Sequence, residues 1–382
     1  MSPRITTRAS LSRRGAVAAL AASSALPAVR QVHGALERLS ASAADAAYGP
    51  RRQHGTPRSQ GDAGPVRAVR EGDQAFVKVA VATAWLEPGQ LRTGLDEPSA
   101  SVPVDMEAWT SALSTFSSRR WLLGRTQTQG LLGAPVTVQA VSGSWAKVGF
   151  NDQAAPGQAD GISGWVPARQ LVTDPGFEHH ADTRETAVVT AKKAHLSEDH
   201  EGARPRTPVS FETRLPVLEK PGPAVKGAVP GAEPAWLPAD AVRVLGRGEL
   251  PSDRTAAAVI ATGQRFLGLK YLWAGMSSYG FDCSGFTYSI YRHHGILLPR
   301  DSGPQLHSSG LPRVDRADLR AGDLVFFSLG RGAARIRHVA VYIGDGKIMH
   351  SPATGKTIEI TSLAGYDVND EYAGAVRPPL SA

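Results

Sequence analysis

The chain of 382 residues contains a single cysteine, Cys283, and no long apolar run. One cysteine excludes an intramolecular disulfide and any zinc site built from cysteines. The longest stretch of small apolar residues runs for 15 residues, from Gly15 to Val29. That length is too short to cross a hydrocarbon core of about 30 Å. We therefore expect no transmembrane span.

The chain also lacks the charge distribution of a nucleic-acid-binding protein. Its net charge is +7, but residues 1–70 hold eleven arginines and three acids, whereas residues 71–382 hold 31 basic and 32 acidic side chains. Binding to DNA or RNA depends on clustered positive charge that neutralises phosphates. With 42% hydrophobic and 20% charged residues, the remainder has a globular composition. Nucleic acid is therefore not an expected partner.

The N-terminal segment has the pattern of an export signal. Residues 1–14 are basic and polar and end in Arg13-Arg14, directly before the apolar stretch. Paired arginines are typical of the twin-arginine route, although Ala16 stands where a bulky apolar residue is usual. Ala41-Ser42-Ala43 is one acceptable cleavage site. We expect a signal peptide over 1–43, export to the cell wall, periplasm or medium, and a disordered linker over 44–70.

Two small β modules follow the linker. Alternating and β-branched stretches separated by Gly and Pro turns begin at Gln74. A four-residue repeat, Trp-apolar-Pro-Ala, occurs at 165–168 and again at 236–239. The repeat resembles the end of a bacterial SH3-like domain. It predicts two small all-β barrels, at 71–175 and 176–250, the first with a helical insertion near residues 103–123.

The C-terminal part, 251–382, changes to a mixed pattern. Apolar residues at helical spacing occupy 253–268, and a second helix should follow Asp282. Strand-like segments come afterwards, at 324–327, 338–343 and 347–350. Helices followed by an antiparallel sheet are typical of the α+β class.

The lone thiol stands at the expected start of the second helix. There the helix dipole and the free backbone N–H groups favour a thiolate, which predicts a lowered pKa for Cys283. The same N–H groups can stabilise an oxyanion. The position therefore suits a nucleophile.

Two histidines supply a base and a third group. Strand alternation places His338 on one face, and a three-residue loop at 344–346 would pair Ile343 with Lys347. That register brings His350 onto the same face as His338, whereas a two-residue turn would place it on the opposite face. A nucleophile, a base and a group that orients the base form a catalytic triad. The other histidines of this region are interpreted as packing or solvated residues: His293, His294 and His307.

These residues lie within motifs that resemble the NlpC-type cell-wall cysteine peptidases. The motifs are Phe-Asp-Cys-Ser-Gly-Phe at 281–286, Gly-Asp-Leu-Val-Phe-Phe at 322–327, and the ten residues from His338, with the second histidine twelve residues after the first. The resemblance covers about 253–378. It implies a papain-like α+β domain in which Cys283 is the nucleophile, His338 the base and His350 the orienting residue, with no metal or organic cofactor.

Over roughly 75–378 the chain is similar to the YkfC-like branch of γ-D-glutamyl dipeptidyl-peptidases, which carries two SH3-like modules. The resemblance implies that Glu97 and Asp301 bind the free ammonium of the substrate and that Trp273 lines the pocket. It further implies that Ser284 and Ser302 contact the D-glutamyl part. Two carboxylates around a cation also disfavour substrates with a blocked amine.

The resemblance therefore implies an exported cysteine peptidase that acts on peptidoglycan stem peptides. It would cut between γ-D-glutamate and diaminopimelate or lysine, and release L-Ala-D-Glu from muropeptides with a free amine. Leu132 stands where the branch has a tyrosine that helps hold this amine, which leaves endo-acting cleavage of intact wall open. An inert wall-binding protein, or an amidase or acyltransferase of the same geometry, are further alternatives. Oligomeric state stays undetermined.

Overall fold

The computed structural model describes residues 65–381. The expected signal peptide, 1–43, and residues 44–64 of the expected linker lie outside them. Val69 is already buried in the core of the first module, so ordered structure begins before residue 70. None of the helices within 65–381 has the length and apolar character needed to cross a membrane. The domain limits 71–175, 176–250 and 251–382 stay predictions.

The first module is a seven-stranded antiparallel sheet. Its strands are β1 (Gln74–Val77), β2 (Val81–Trp85), β3 (Thr126–Leu131), β4 (Pro135–Ser142), β5 (Trp145–Phe150), β6 (Ile162–Pro167) and β7 (Leu171–Val172). They are ordered β3-β2-β6-β5-β4-β1-β7. Between β2 and β3 lies the expected insertion, as α1 (Glu97–Ala100), α2 (Met106–Ala112) and α3 (Phe116–Arg120).

The second module repeats this topology. After α4 (Pro175–Thr183) come β8 (Thr186–Val189), β9 (Lys193–Ser197), β10 (Pro205–Ser210), β11 (Arg214–Glu219), β12 (Ala224–Val229), β13 (Ala232–Pro238) and β14 (Val242–Leu245). Their order, β10-β9-β13-β12-β11-β8-β14, is that of the first sheet with every number raised by seven. The four-residue sequence repeat ends β6 and β13, and a short 3-10 turn follows each time, Ala168–Gln170 and Ala239–Ala241. The repeat thus marks equivalent points of two equivalent sheets.

The expectation of closed barrels is wrong in one respect. Each seven-strand order is open, and within residues 65–381 no ladder joins β3 to β7 or β10 to β14. The alternation of side chains along a strand does not distinguish an open sheet from a closed one, because both bury one face. In β4, for example, Val136 and Val138 are buried in the core while Thr137 between them is half-buried.

The third part is α+β, as expected. Its elements are α5 (Ala256–Gln264), β15 (Met276–Ser277), β16 (Gly280–Phe281), α6 (Cys283–His293), α7 (Ser302–His307), β17 (Arg313–Val314), β18 (Leu324–Ser328), β19 (Ile336–Gly344), β20 (Lys347–His350), β21 (Glu359–Ser362), α8 (Leu363–Tyr366) and β22 (Tyr372–Val376). A 3-10 turn, Arg316–Asp318, precedes β18. The antiparallel sheet has the order β17-β22-β18-β19-β20-β21.

Helix α6 packs on the central strands of this sheet. Phe286 and Ile290 of the helix are fully buried in one cluster with Val339 and Val341 of β19. Burial of such side chains stabilises the fold by roughly 1.5–3 kcal/mol each. The packing fixes the start of α6, and with it Cys283, against β19.

Candidate active site

Helix α6 begins at the cysteine because the preceding residue is an effective cap. The Asp282 carboxylate accepts a hydrogen bond from the backbone N–H of Gly285 at 2.6 Å. Asp is a preferred N-cap residue, since it satisfies a backbone donor that has no partner within the helix. Cys283 is therefore the first residue of the helix and is 9% exposed.

The two histidines meet across neighbouring strands. Val341 pairs with Met349 and Tyr342 with Ile348, so Ala340 faces His350 in the same register. Nε2 of His338 lies 2.8 Å from Nδ1 of His350. Both rings are buried, at 1% and 0% exposure. The expected face-sharing of the two histidines is confirmed.

The thiol lies against the strand that carries the first histidine. The backbone N–H groups of Val339, the residue after His338, and of Ser284 lie near enough to the Cys283 sulfur to favour its charged form and lower its pKa. Since Nε2 of His338 is engaged with His350, Nδ1 is the nitrogen that remains to take a proton. The arrangement has the order of a triad: thiol, imidazole, imidazole.

The protonation of the thiol differs from the sequence expectation. Burial, followed by the charge of Asp282, raises the pKa of Cys283 to about 12, and the two backbone donors and Arg300 only partly offset this. From the helix terminus alone, the pKa of Cys283 is expected to fall. The sequence does not reveal how completely the thiol is removed from water, and this desolvation raises the pKa. The resting thiol is protonated.

The imidazoles are neutral for the same physical reason. Burial lowers the pKa of His338 well below its usual value, and the positive charge of His350 or of Arg337 would lower it further. Burial, followed by Arg337, also lowers the pKa of His350, to about 4. At neutral pH the thiol and both imidazoles are therefore uncharged.

Arg300 is a residue that the motif analysis missed. Its side chain is 1% exposed and its guanidinium binds both oxygens of Asp282, at 2.7 and 3.1 Å. The same group donates to Oγ of Ser284 at 3.0 Å and to Oγ1 of Thr128 at 2.9 Å. Paired charges are the form in which buried ions are tolerated. Arg300 thus anchors the helix cap and connects it to strand β3 of the first module.

Tyr271 is a second residue that was not assigned a role. Burial raises the pKa of its phenol well above the usual value, and negative charge on Cys283 and Asp282 contributes to the shift. The phenol therefore stays protonated and lies within electrostatic range of the sulfur. A protonated hydroxyl there is a hydrogen-bond donor for an oxyanion that forms at a carbonyl attacked by Cys283. Its place two residues before Trp273 was the only sequence indication.

The first module contacts the active-site segment through further side chains. Oε1 of Gln129 accepts hydrogen bonds from the N–H of Met276 at 3.0 Å and from Oγ of Ser277 at 3.1 Å. Nε1 of Trp273 donates to the Thr126 carbonyl at 3.1 Å. Strand β3 therefore borders the region that leads into α6.

The expected substrate-binding residues fall into two groups. Oγ of Ser284 accepts a hydrogen bond from Arg300, and the Asp301 carboxylate lies 3.9 Å from the same guanidinium, while Ser302 follows as the first residue of α7. The Asp301 carboxylate is half-exposed at the start of α7 and makes no cap hydrogen bond. Burial raises the pKa of Asp301, partly offset by Arg300.

Trp273 and the segment of Glu97 form the second group. Trp273 packs in the cluster that contains Leu95, two residues before Glu97. Glu97 is exposed at the start of α1, and its carboxylate accepts from the Gly94 N–H at 2.7 Å. The adjacent Asp96 is fully buried and bound by Arg92 and Trp109, so it has a structural role.

Two histidines outside the triad bind neighbouring groups. Nδ1 of His293 lies 2.7 Å from Oε1 of Glu212, and Nδ1 of His294 lies 2.6 Å from the Asp253 carbonyl. No cluster of metal ligands occurs among the residues from 65 to 381.

A buried thiol on a helix N-terminus, facing paired histidines on an antiparallel sheet, defines a papain-like cysteine peptidase. Residues 268–377 match the NlpC/P60 family, and residues 189–244 match the YKFC SH3b2 domain. The "Gamma-D-glutamyl-L-lysine dipeptidyl-peptidase" of Bacillus cereus is 39% identical over 81% of this chain and 92% of its own length. The enzyme of the same name from Bacillus subtilis is 37% identical over 74% of this chain and 92% of its own. The chain belongs to the NlpC/P60 family of cysteine peptidases.

The structural comparison agrees. The crystal structure of an NlpC/P60 family protein from Bacillus cereus superimposes with a TM-score of 0.74 at 38% identity, covering 80% of this chain and 99% of that one. The "Murein DD-endopeptidase MepH" of Escherichia coli is 43% identical, but over only 29% of this chain and 41% of its own length.

Proposed function

We propose that the chain hydrolyses the bond between γ-D-glutamate and the diamino acid of peptidoglycan stem peptides, releasing L-Ala-D-Glu from peptides whose alanine amine is free. The observation that supports this most directly is the extent of similarity to the dipeptidyl-peptidase of Bacillus cereus, which spans 92% of that enzyme. The similarity therefore includes the small modules beside the catalytic part.

The first half-reaction forms a thioester. The Cys283 sulfur attacks the γ-carbonyl carbon of D-glutamate while its proton passes to Nδ1 of His338. The resulting oxyanion accepts hydrogen bonds from the Tyr271 hydroxyl and from backbone N–H groups at the start of α6. The C–N bond then breaks, and the proton on His338 goes to the departing amine of the diamino acid.

The second half-reaction uses the same groups. Water loses a proton to His338 as its oxygen attacks the thioester carbonyl. Collapse of the intermediate breaks the C–S bond, the proton returns to the sulfur, and the new γ-carboxylate leaves as L-Ala-D-Glu. His350 holds the ring of His338 by the 2.8 Å contact throughout.

The proton of the Cys283 thiol must be transferred as the sulfur attacks. Burial and Asp282 keep the thiol protonated, since the pKa of Cys283 is about 12. The thiolate is the nucleophilic form. A neutral His338 next to the sulfur provides the base at neutral pH, because burial lowers its pKa.

Selection of a free amine is assigned to two carboxylates, Glu97 and Asp301. Trp273 would line the pocket, while Ser302 and the remaining lone pair of the Ser284 hydroxyl would contact the D-glutamyl part. An acetylated amine carries no charge and would leave the carboxylates without a counterion, which costs binding energy.

A second candidate is endo-acting cleavage of intact wall. Leu132 is 2% exposed and packs in the cluster with Phe76 and Phe177, so it offers no hydroxyl to an amine. Selection of a free amine then depends on Glu97 and Asp301 alone. For both candidates we propose action outside the cytoplasm, where peptidoglycan lies, after export by residues 1–43.

Mass spectrometry of products tests the proposal. The chain is incubated with L-Ala-γ-D-Glu-L-Lys, its diaminopimelate counterpart, the N-acetylated peptides and intact peptidoglycan, with Cys283→Ala as the control. We expect L-Ala-D-Glu from the free-amine peptides only. Equal cleavage of acetylated peptide or wall would establish the endo-acting alternative. No product dependent on Cys283 would indicate a wall-binding protein.

A further inference from the structure

The outer nitrogen of the second histidine has no hydrogen-bond partner among the described residues. Nδ1 of His350 is engaged with His338, whereas Nε2 is buried and makes no hydrogen bond. A buried polar nitrogen without a partner is unusual in a folded protein. The closest charged contact of Nε2 is Oε1 of Glu359, at 3.5 Å.

Strand pairing places the Glu359 carboxylate beside His350. His350 of β20 and Glu359 of β21 are directly opposite in the antiparallel register. Opposite residues have side chains close together on one face of a sheet. Glu359 lies on the edge strand and its side chain is 44% exposed, so it can adjust without disturbing the core.

Proton positions in the triad depend on this outer contact. For Nδ1 of His338 to accept the thiol proton, neutral His338 must carry its own proton on Nε2, which then donates to Nδ1 of His350. Nδ1 of His350 must consequently be bare, and neutral His350 carries its proton on Nε2. The carboxylate oxygen within ion-pair distance of that nitrogen is Oε1 of Glu359, 3.5 Å away.

We propose that Glu359 is a positioning residue that holds His350 in the tautomer the reaction requires. The inference rests on the proposed function. As His338 gains a proton during sulfur attack, the carboxylate stabilises the positive charge through His350. Catalytic contacts are often long before substrate binds and shorten during reaction, in keeping with the 3.5 Å separation.

The other groups around His350 do not serve this purpose. His338 faces Nδ1, and the Tyr366 ring of α8 packs on His350 with centroids 4.6 Å apart. The Tyr366 hydroxyl accepts from Nη1 of Arg337 at 3.1 Å, and the guanidinium of Arg337 is a donor. Arg337 cannot accept the Nε2–H of His350, and the Tyr366 hydroxyl makes no hydrogen bond to that nitrogen among the described residues.

Three variants test the inference. Glu359→Ala removes the acceptor, Glu359→Gln retains an amide oxygen that can accept the N–H, and Glu233→Gln, at an exposed position of β13 in the second module, is the matched control. We expect Glu359→Ala to lower kcat by about three- to tenfold with KM unchanged, as for a partly exposed hydrogen bond to a charged group. Glu359→Gln should retain more than half of kcat, and Glu233→Gln all of it.

Two readouts need no substrate and so separate this inference from the proposed function. The rate of Cys283 alkylation by iodoacetamide at pH 7 should fall in Glu359→Ala by a similar factor. In ¹⁵N NMR spectra, His350 should carry its proton on Nε2 in the unmodified chain and populate both tautomers in Glu359→Ala. A proton on Nδ1 in the unmodified chain, or unchanged alkylation in Glu359→Ala, would overturn the inference. Failure of the proposed function alone would leave both substrate-free results as expected.

Discussion

At the scale of single residues, burial decides the state of the catalytic groups. Desolvation disfavours charge, so it raises the pKa of Cys283 and lowers that of His338. The raised pKa of Cys283 and the lowered pKa of His338 both disfavour a thiolate–imidazolium ion pair in the resting enzyme. In the proposed mechanism, transfer of the thiol proton therefore coincides with bond formation to the substrate, and nearby donors stabilise the new oxyanion.

The loss of kcat/KM at low pH should follow the protonation of His338, the proposed base. Because the pKa of His338 is lowered, the neutral, active form persists below the usual histidine value of about 6.5, and activity is lost only as pH falls further. The charge of Arg337 contributes to this lowering. Arg337→Gln should raise the pKa of His338 and move the low-pH limb of kcat/KM upward by about 0.2–0.7 pH units, as expected for the loss of a partly exposed charge.

The control for this pH shift is Arg335→Gln, an exposed arginine two residues earlier on the chain. It should leave the limb in place. A downward shift in Arg337→Gln, or an equal shift in both variants, would contradict the electrostatic explanation.

Sequence identified some of these residues and missed others for a physical reason. Cys283, His338 and His350 stand in local patterns, a helix start and a strand alternation, that can be interpreted without tertiary structure. Arg300 and Tyr271 act through contacts with residues distant along the chain. Arg300, for example, donates a hydrogen bond to Oγ1 of Thr128 at 2.9 Å. Only the folded chain brings those partners together.

At the scale of elements, the β19–β20 hairpin determines the histidine pair. The expected register of His350 opposite Ala340 was right, but the expected three-residue loop and the pairing of Ile343 with Lys347 were wrong. Gly344 pairs with Lys347 around a two-residue turn, Asp345-Gly346, and a bulge at Ile343 restores the register beyond it. A bulge adds one residue to one strand, so it reverses the effect of the shorter turn. The alternation of side chains predicts which face of the sheet each residue occupies, but it does not reveal where a strand contains a bulge.

The turn itself gives a prediction on stability. Asp345 and Gly346 both have positive φ, 51° and 65°, the conformation of a type I′ turn. Gly346→Val places a β-branched residue in the left-handed region and should lower the free energy of unfolding by about 1–2 kcal/mol. Asp345→Gly is the control and should have little effect, since glycine adopts this conformation readily. Urea denaturation checks both, and equal stability of the two variants would contradict the role of the turn.

At the scale of the whole molecule, the first module contacts the segments that hold the proposed active site. Strand β3 contributes Thr128 to Arg300 and Gln129 to the segment before α6. The repeated four-residue motif predicted two related modules, and the identical strand order confirms it. The motif carries no information on which module faces the active site, because that depends on side-chain contacts between distant segments.

Gln129→Met tests this connection. The substitution leaves the Met276 N–H and the Ser277 hydroxyl without their buried acceptor, and should lower the free energy of unfolding by about 1–3 kcal/mol. It should also reduce kcat, because β15 leads into the catalytic helix. Gln127→Met, on the same strand, is the matched control and should change neither quantity appreciably. Equal behaviour of the two variants in thermal denaturation and turnover would contradict the proposed connection.

Trapping the acyl-enzyme tests directly whether Cys283 is the nucleophile and His338 its base. The full chain is mixed with L-Ala-γ-D-Glu-L-Lys, quenched in acid and measured by intact-protein and peptide mass spectrometry. We expect a transient mass increase equal to one L-Ala-D-Glu acyl group, located on Cys283 and absent from His338→Ala. Product formation by Cys283→Ala, or an adduct on another residue, would contradict it.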